Sequence, residues 1–525
     1  MSELPDTWTR VTLAEIGDWR GGGTPSKSKP EFWTNGTIPW VSPKDMKQAK
    51  LNGAFDRITE AAVKASATNL ITDESVLMVT RSGILSHSLP VAVNTVPVAL
   101  NQDIKAVTPS GATSASFLWH AFVCFERDIL NSCRKGGTTV HSIEFPALQT
   151  FIIPLAPLNE QKRIIAKIEE LFSELDAGEE NLRKARRQLG VYRQSLLKQA
   201  FEGKLTAAWR DQNPHLLESP EQLLVRIQDE RDAGYAKQLE EWKSAVKAWE
   251  SENVLGRKPT RPTSLALISP LSEDERSIFG LLPKEWSMVP VEAIGDVQLG
   301  RQRSPKNQSK DFPTKYIRAA NIKESGLALD DILEMEFTPK ERTTFALQPG
   351  DIVLSEASGS TSQVGKPALW KGEIPGCCFQ NTVIRHRLFD LECSVFYLWL
   401  YRFFYLHGVF SRTAGGVGIN HLSAGKFSRL PVPLCSLPEQ QEIVRLLDEQ
   451  FTVIELNERE IDAGLKRSQV LRQSILQKAF SGQLVAQDPA DEPASVLLGR
   501  IREKRELAPT TKRAIRKTTG VASPP

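Results

Sequence analysis

The sequence predicts a mixed α+β protein in which two homologous globular domains are separated by two long α-helices that pair as an antiparallel coiled coil. Two observations predict this architecture: the chain is an internal duplication, and each copy ends in a long proline-free segment with apolar residues at heptad spacing. The predicted segments are a first domain (1–157), a first long helix (158–205), a helical connector and linker (206–280), a second domain (281–436), a second long helix (437–485) and a C-terminal tail that is disordered in part (486–525).

The duplication is clearest where the copies end. Residues 193–205 match residues 472–484 at eight of thirteen positions, with an offset of 279. The openings of the copies match with an offset of 278, as Leu4-Pro5-x-x-Trp8 and Leu282-Pro283-x-x-Trp286. The contents between these ends differ throughout the loops. Matched ends with different loops between them indicate two modules that recognise different targets. An old duplication whose loops diverged without selection would leave the same pattern.

Each copy ends in a segment with the pattern of a long amphipathic helix. No proline interrupts residues 159–201 or 439–480, so each helix can run about 43 residues, or roughly 65 Å. Heptad seams of this kind are typical of coiled coils. Pairing within one chain is favoured because the tether raises the effective concentration; a dimer-forming coiled coil between chains is the alternative. The seams comprise Ile168, Leu175, Leu182, Leu189 and Leu196 in the first copy and Leu447, Ile454, Ile461, Ser468 and Ile475 in the second.

Composition sets broad limits on function. The chain has 40% hydrophobic and 25% charged residues, as an ordinary globular protein does, and its formal net charge of +3 is compatible with nucleic-acid binding without requiring it. The six cysteines form no Cys-x-x-Cys pair, so we expect reduced, packed thiols. The opening residues Met1–Arg10 are polar, and the most apolar run, Val395–Phe410, is short for a bilayer span. We therefore expect a cytoplasmic protein that does not cross a membrane.

The sequence carries no recognisable catalytic constellation. It contains neither a Gly-x-x-x-x-Gly-Lys-[Ser/Thr] phosphate loop nor an Asn/Asp-Pro-Pro-aromatic methyltransferase motif. His141 and His421 have no cysteine or carboxylate partner at a fixed spacing, so we interpret each as a satisfied loop histidine. No metal site can be argued. We expect a chain without an active site of its own.

The motifs together resemble the specificity subunits of type I restriction-modification systems. Each half has the Leu-Pro-x-x-Trp opening, a variable domain, a Pro-Leu-x-x-Leu-x-Glu-Gln entry to a helix and an Arg-Gln-Ser-[Leu/Ile]-Leu…Ala-Phe-x-Gly-x-Leu exit. The first half also has Gly22-Gly-Thr-Pro-Ser26 and Ile38-Pro-Trp-Val41, and the second has the other common family form, Gly300-Arg-Gln-Arg-Ser304 and Tyr316-Ile-Arg-Ala-Ala-Asn-Ile322. The resemblance covers most of the chain.

The resemblance implies that each variable domain is a target-recognition domain that reads one half of a split site on double-stranded DNA. It also implies methyltransferase subunits and restriction subunits as partners, which carry adenine methylation and ATP-dependent cleavage. The chain itself would need no cofactor, and S-adenosylmethionine, ATP and Mg²⁺ would belong to the partner subunits. A coiled-coil scaffold with two protein-binding heads, and a nuclease or methyltransferase that is active alone, are the competing interpretations.

Reading a duplex requires side chains that neutralise phosphates and others that meet base edges. Polar and basic residues in the glycine-containing loops meet that requirement and recur at corresponding places in the two halves. For each of them a solvated loop is the alternative, and glycine can equally serve turn geometry. The candidates are Arg20, Thr24, Ser26, Lys27, Lys44, Arg81, Ser82, Lys135, Thr138, Thr139 and His141 in the first half and Arg301, Arg303, Ser304, Lys306, Arg318, Asn321, Ser358, Ser360, Arg412 and Asn420 in the second.

Two further sets of residues have a predicted role. Asn101-Gln102 and Gln380-Asn381 suit adenine, but their strand-like apolar surroundings favour hydrogen bonding within the core. Phe201 and Phe480 close the matched helix exits, and we predict that they dock partner subunits or pack the helix ends.

Overall fold

The computed structural model describes residues 4–136, 140–251, 258–262, 269–302, 312–358, 363–414 and 420–507. The chain divides into two compact units. The first unit comprises Met1–Arg183 and Asp462–Pro525, and the second comprises Lys184–Ile461. Both long helices, Leu158–Phe201 (α5) and Leu437–Phe480 (α13), have 44 residues and contribute a segment to each unit.

The first unit holds fourteen strands in its described part. They are β1 Thr9–Thr12, β2 Gly17–Gly21, β3 Ile38–Val41, β4 Lys50–Leu51, β5 Asp56–Ile58, β6 Leu70–Ile71, β7 Val76–Val79, β8 Arg81–Ser82, β9 Val91–Asn94, β10 Val98–Leu100, β11 Ile104–Pro109, β12 Arg134–Lys135, β13 His141–Ile143 and β14 Ile152–Leu155. Its helices, besides the segments of α5 and α13, are α1 Glu60–Ala65, α2 Ala115–Cys124, α3 Glu126–Cys133, α4 Phe145–Thr150 and α14 Ala494–Leu507.

A five-stranded sheet in the order β2-β11-β7-β9-β4 forms the centre of the first unit. Successive side chains of a strand point to opposite faces. In β7, Val76 and Met78 face the core that contains α2, whereas Leu77 and Val79 face the core shared with the four-stranded sheet β5-β3-β10-β6. Because both faces are covered, all four residues are buried, which explains the uninterrupted apolar run.

The second unit has corresponding elements. Its strands are β15 Ser287–Pro290, β16 Gly295–Leu299, β17 Pro313–Ile317, β18 Ile322–Lys323, β19 Gly326–Leu327, β20 Leu333–Glu336, β21 Ile352–Ser355, β22 Ala357–Ser358, β23 Pro367–Leu369, β24 Cys378–Phe379, β25 Val383–Leu388, β26 Asn420–His421 and β27 Pro431–Leu434. Its helices are α6 Ala207–Gln212, α7 Pro220–Ser251, α8 Glu273–Arg276, α9 Pro339–Phe345, α10 Ser394–Leu406, α11 Val409–Thr413 and α12 Ala424–Ser428, with the remaining segments of α5 and α13.

Sheet topology repeats between the units. The order β16-β25-β21-β23 in the second unit corresponds to β2-β11-β7-β9 in the first, and the parallel pair β17-β24 corresponds to β3-β10. The register is also kept: Gly17 lies opposite Pro109, and Gly295 lies opposite Leu388. The prediction of two homologous α+β domains is therefore confirmed.

The long helices pair antiparallel within each unit. In the first unit Arg472 contacts Asp176, and Gly464 lies against Leu182. The residue numbers therefore rise along one helix where they fall along the other. In the second unit Arg193 donates to Glu458. The heptad residues of both helices are buried or half-buried along the seam, as the sequence predicts.

A glycine joins each helix exit to the opening motif of a domain. Gly482 has φ +74° and Gly203 has φ +71°, the left-handed conformation that ends a helix and that glycine adopts without strain. A Cβ on Gly482 would lie 2.5 Å from Pro5, and one on Gly203 would lie 2.3 Å from Pro283. The Gly of the exit motif and the Pro of the Leu-Pro-x-x-Trp motif are therefore two sides of one packed joint.

Several smaller expectations can be compared with the structure. All six cysteines are free and buried. The connector predicted at residues 206–280 contains the helix α7, Pro220–Ser251. Within the described part of the chain, no helix is both long and apolar enough to span a bilayer, and no group of three or more potential metal ligands occurs. The expected disorder at the C-terminus falls on residues 508–525, which lie outside the described residues.

Candidate nucleic-acid interface

A small three-stranded sheet, in the order β12-β13-β8, brings together four of the predicted DNA-contacting residues of the first unit. Arg81 lies opposite Ser142, Ser82 lies opposite His141, and Lys135 is paired with Ser142 from the other side. Arg81 and Lys135 are exposed. Lys135 lies 3.9 Å from Glu144, a loose ion pair that water can replace.

Hydrogen bonds through Asp103 and Gln102 connect this sheet to the loop that follows β2. Thr80 donates its N–H to Asp103 O at 2.8 Å and accepts from the N–H of Ile143, also at 2.8 Å. Next to Asp103, the exposed side chain of Gln102 contacts the hydroxyl of Thr24. Residues that are far apart in the sequence therefore form one polar edge of the unit. We call it the variable edge, and it comprises residues 20–27, Gln102 and the β12-β13-β8 sheet.

The second unit builds the same edge with different side chains. Glu356 takes the place of Thr80: it donates its N–H to Thr382 O at 2.8 Å and accepts from Leu422 N–H at 2.9 Å. The following strand pairs Ser358 with Asn420 and Ala357 with His421. His421 Nδ1 lies 3.2 Å from a carboxylate oxygen of Glu356, so this loop histidine is satisfied by hydrogen bonding, as expected. The same expectation is wrong for His141, whose buried Nδ1 has no hydrogen-bond partner among the described residues.

Glycine at the start of the first loop serves close packing. A Cβ on Gly22 would lie 2.0 Å from Asn101 O, and one on Gly300 would lie 2.2 Å from Gln380 O. No larger residue fits at either position without moving the backbone. The backbone is therefore fixed where the loop begins. The exposed residues on either side of Gly22 are Arg20, Thr24, Ser26 and Lys27.

The turns after β3 and β17 contain Lys44 and Arg318. Each turn is closed by a side chain: Asp45 accepts from the N–H of Ser42, and Asn321 accepts from the N–H of Arg318. Lys44 is exposed and pairs with Asp56 at 2.9 Å, whereas Arg318 pairs with Asp331 at 2.5 Å. Both cations remain candidates, although DNA would have to compete with a carboxylate for each.

Asn321 is a correction to the sequence-based prediction. Only 2% of the residue is exposed. Its oxygen accepts from Arg318 N–H, and its amide donates to Ala328 O at 3.0 Å and to Asp331 O at 3.1 Å. Because its hydrogen-bonding groups are engaged inside the unit, Asn321 shapes the turn and cannot meet a base edge.

Arg301 and Arg412 differ in how available they are. Arg301 is mostly buried, donates to Glu341 at 2.7 Å and lies over the ring of Phe337, so it stabilises the fold around the loop. Arg412 is exposed at the end of α11 and donates to His407 O at 2.9 Å. Of the predicted pair, Arg412 is the stronger candidate for contact with a phosphate.

Several predicted residues lie outside the described part of the structure or are described only in their backbone. Only the backbone is described for Ser358 and Asn420. The residues outside the described ranges are Thr138, Thr139, Arg303, Ser304, Lys306 and Ser360.

Sequence reasoning missed Gln102. Asn101 is buried and hydrogen-bonded to Asp103, as predicted, but Gln102 is exposed on the variable edge. Its position could have indicated this, because Gln102 lies in the turn that follows β10 and such connections usually lie on the surface.

Phe201 and Phe480 take the second of their two predicted roles, the packing of the helix ends. Their exposed fractions are 0% and 4%. Phe201 packs against Phe396 at 5.5 Å between ring centroids, and Phe480 packs against Phe117 at 5.0 Å. The two rings pack the helix ends into the domain cores; Phe201 has no exposed surface for a partner subunit, and Phe480 retains a small exposed fraction.

One α+β frame, used twice and edged each time by different polar side chains, defines a two-module recognition protein. The sequence matches the family described as "Type I restriction modification DNA specificity domain" over residues 5–184 and again over residues 283–467. The chain belongs to this family, as a specificity subunit with two copies of the domain.

Known proteins of similar sequence carry the same description. The specificity subunit of the StySPI type I restriction enzyme of Salmonella potsdam is 24% identical over 530 residues, which cover 96% of this chain and 97% of that protein. The specificity subunit of EcoR124I/EcoR124II of Escherichia coli is 48% identical over 154 residues, which cover 29% of this chain and only 38% of that protein.

Solved structures show the same fold. A chain from a study described as "Structural basis underlying complex assembly and conformational transition of the type I R-M system" superposes with a TM-score of 0.61 at 17% identity, covering 92% of this chain and all of that one. The HsdS subunit from Thermoanaerobacter tengcongensis gives a TM-score of 0.50 at 16% identity, covering 92% and 99%.

Proposed function

We propose that the chain is the sequence-reading subunit of a type I restriction-modification complex, in which each unit reads one half of a bipartite DNA site through its variable edge. The observation that carries this proposal is that the two units share one backbone framework but have different polar side chains at the variable edge. Thr80 and Glu356 make the same backbone hydrogen bonds, yet they differ in charge, and the neighbouring side chains differ as well. One scaffold with two different polar edges is what two different half-sites require.

The rest of the proposal concerns partners. Methyltransferase subunits that bind S-adenosylmethionine would dock on the long helices, and restriction subunits that use ATP and Mg²⁺ would carry cleavage. This chain would contribute no catalytic residue and would act in the cytoplasm on double-stranded DNA. Exposed apolar side chains on the helices, Val191 and Val470 among them, are suited to such docking.

A domain exchange tests independent reading of the two half-sites. Replacing residues 1–157 by the corresponding domain of a relative, with the chain unchanged from Leu158 onward, should change one half of the methylated sequence and leave the other half intact. Replacing residues 281–436 is the matched control and should change only the other half. The measurement is methylation mapping of DNA treated with each variant assembled with its methyltransferase subunits.

Two outcomes would contradict the proposal. If either exchange altered both half-sites, the units would not read independently. If the assembled complex showed no DNA affinity at any salt concentration, the chain would be a scaffold with two protein-binding heads instead of a DNA reader.

A further inference from the structure

An apolar groove lies on the first unit where the end of α13 meets the end of α2 and strand β14. Its volume is about 810 Å³. Phe125, Phe480 and Ile152 form its apolar walls, and the side of Ile152 is open, with 55% of the residue exposed. A groove of this size can receive a large side chain and part of a peptide.

The second unit shows what fills the same place there. Phe279 is buried against Phe403 and Phe404, with ring centroids 5.9 Å and 5.8 Å apart. With the offset of 279, these two rings correspond to Cys124 and Phe125, which line the groove of the first unit. The chain's own connector thus inserts an aromatic anchor into the second unit at the place that corresponds to the groove of the first unit.

The inserted segment has a recognisable chemistry. It runs Leu271-Ser-Glu-Asp-Glu-Arg-Ser-Ile-Phe-Gly280, with a short acidic helix, Glu273–Arg276, followed by the anchor. In the first unit the counterpart of Phe279 is Met1, outside the described residues, and the small Cys124 replaces the ring of Phe403. Two rings of the second unit therefore have no aromatic counterpart in the first.

The charge of the groove in the first unit favours an acidic occupant. Arg10 and Lys478 line the groove of the first unit, and no carboxylate lines it among the described residues. Their counterparts in the second unit, Met288 and Gln199, are uncharged. The counterparts of two other groove residues, Gln477 and Gln483, are Lys198 and Lys204, and the inserted acidic helix of the second unit pairs with Arg429, which lies 3.0 Å from Glu275. Arg10 and Lys478 would attract an acidic segment to the first unit in a similar way.

We propose that this groove of the first unit docks a segment of a partner protein that presents a phenylalanine-like anchor preceded by acidic residues. The aromatic ring fills the space beside Phe125 and Phe480, and the acidic residues lie near Arg10 and Lys478. Buried aromatic anchors supply most of the binding energy at such sites. The inference concerns protein docking and does not depend on DNA recognition.

The chain's own segment supplies the probe. A fluorescently labelled peptide with the sequence of residues 271–280 should bind the full-length chain saturably, as measured by fluorescence anisotropy. The same peptide with Phe279→Ala should bind at least tenfold more weakly. Lys478→Glu in the full-length chain should also weaken binding at least tenfold, whereas Gln199→Glu, at the matching position of the second unit, should leave it unchanged.

Other occupants give different results. Binding that appears only after residues 1–3 are removed would identify the chain's own N-terminal segment as the occupant. Self-association in analytical ultracentrifugation that Lys478→Glu abolishes would identify a second copy. Either result, or equal binding of the Phe279→Ala peptide, or no saturable binding at all, would overturn partner docking.

Discussion

At the start of the first long helix a buried carboxylate is held by neutral groups, whereas at the start of the second it is held by a cation. Glu160 accepts from the indole of Trp8 at 3.0 Å and from the amide of Gln487 at 2.6 Å. Glu439 accepts from the indole of Trp286 at 2.9 Å and also pairs with the buried Arg210. The same Glu-Gln entry motif therefore anchors the same tryptophan in two electrostatic settings.

This difference decides how each carboxylate responds to proton binding. Burial is the largest influence on Glu160 and raises its pKa, while the hydrogen bonds from Gln487 and Trp8 oppose the change. A carboxyl group with a raised pKa favours the folded state most when it is protonated, so its contribution falls as the pH rises through that pKa. When Glu160 is ionised, dipoles and its position at a helix N-terminus stabilise its charge.

The largest expected effect comes from neutralising each glutamate in turn. Glu439→Gln leaves the buried Arg210 with only Glu285, 4.0 Å away, as a counter-charge and should reduce the free energy of unfolding by about 3 kcal/mol. Glu160→Gln should change it by about 1 kcal/mol or less, because Gln487 can turn its amide to offer an oxygen to the new side chain. Urea unfolding at pH 7 measures both.

A double variant separates charge from packing. Glu439→Gln combined with Arg210→Met removes both charges and should recover most of the lost stability, since a buried ion pair can be replaced by apolar groups at little cost. Equal losses for the two single variants would show that the two settings do not differ energetically. Failure of the double variant to recover would assign the loss to packing.

The duplicated frame could be predicted from sequence because it is encoded in short matched motifs. Leu-Pro-x-x-Trp, Glu-Gln and Ala-Phe-x-Gly-x-Leu lie far apart along the chain, and their contacts in one joint explain why they recur together. Arg210 and Gln487 were not recognisable as partners of the two glutamates. Both lie outside the matched motifs, and only tertiary contact identifies them.

The candidate site was harder to predict than the fold. Residue type suggests which side chains suit DNA, but burial depends on the folded neighbourhood. Asn321 closes a turn and Gln102 lies on the surface, the reverse of what their local sequences favoured. The role of Phe279 was hidden because its counterpart in the first half is Met1, so the comparison of the two halves offered no second aromatic residue.

The cores of the two units also differ, and this difference should produce a pH-dependent stability. In the second unit the hydroxyl of Tyr401 lies 2.8 Å from Nδ1 of His386, whereas the offset places Phe122 and Val107 at these positions in the first. Burial lowers the pKa of His386 to about 3. The folded state therefore resists protonation of this ring.

Acidification should destabilise the second unit through His386. The unfolded chain binds a proton near pH 6.5 and the folded chain does not, so stability is lost as the pH falls below 6.5, by about 2 kcal/mol at pH 5. His386→Val with Tyr401→Phe, which copies the first unit, should remove this loss. Hydrogen exchange of residues 383–388 and 394–406 at pH 6.5 and at pH 5 measures this loss of stability. An unchanged loss in the double variant would exclude His386 as its source.

The smallest expected effect concerns the helix seam. Ser468 is buried in the seam of the first unit, and the matching position of the second unit is Leu189. The Ser468 hydroxyl donates to Glu179 at 2.7 Å, and this hydrogen bond is the main reason that the pKa of Glu179 is lowered. Arg472 also contacts Glu179, at 3.1 Å, and would remain in place after a substitution.

Ser468→Leu replaces that hydrogen bond by apolar burial. The lost hydrogen bond and the added burial each contribute about 1 kcal/mol with opposite sign, so the free energy of unfolding at pH 7 should change by less than about 1 kcal/mol. Its pH dependence should change more clearly. A carboxylate with a lowered pKa stabilises the fold above its unfolded value and loses this contribution as the pH falls, so the variant should lose less stability than the wild type between pH 6 and pH 4. Ser468→Ala removes the hydrogen bond without adding burial and should show the same flattening with lower stability at pH 7. Thermal unfolding at the two pH values measures both variants, and an undiminished acid loss in both would show that Ser468 does not set the ionisation of Glu179.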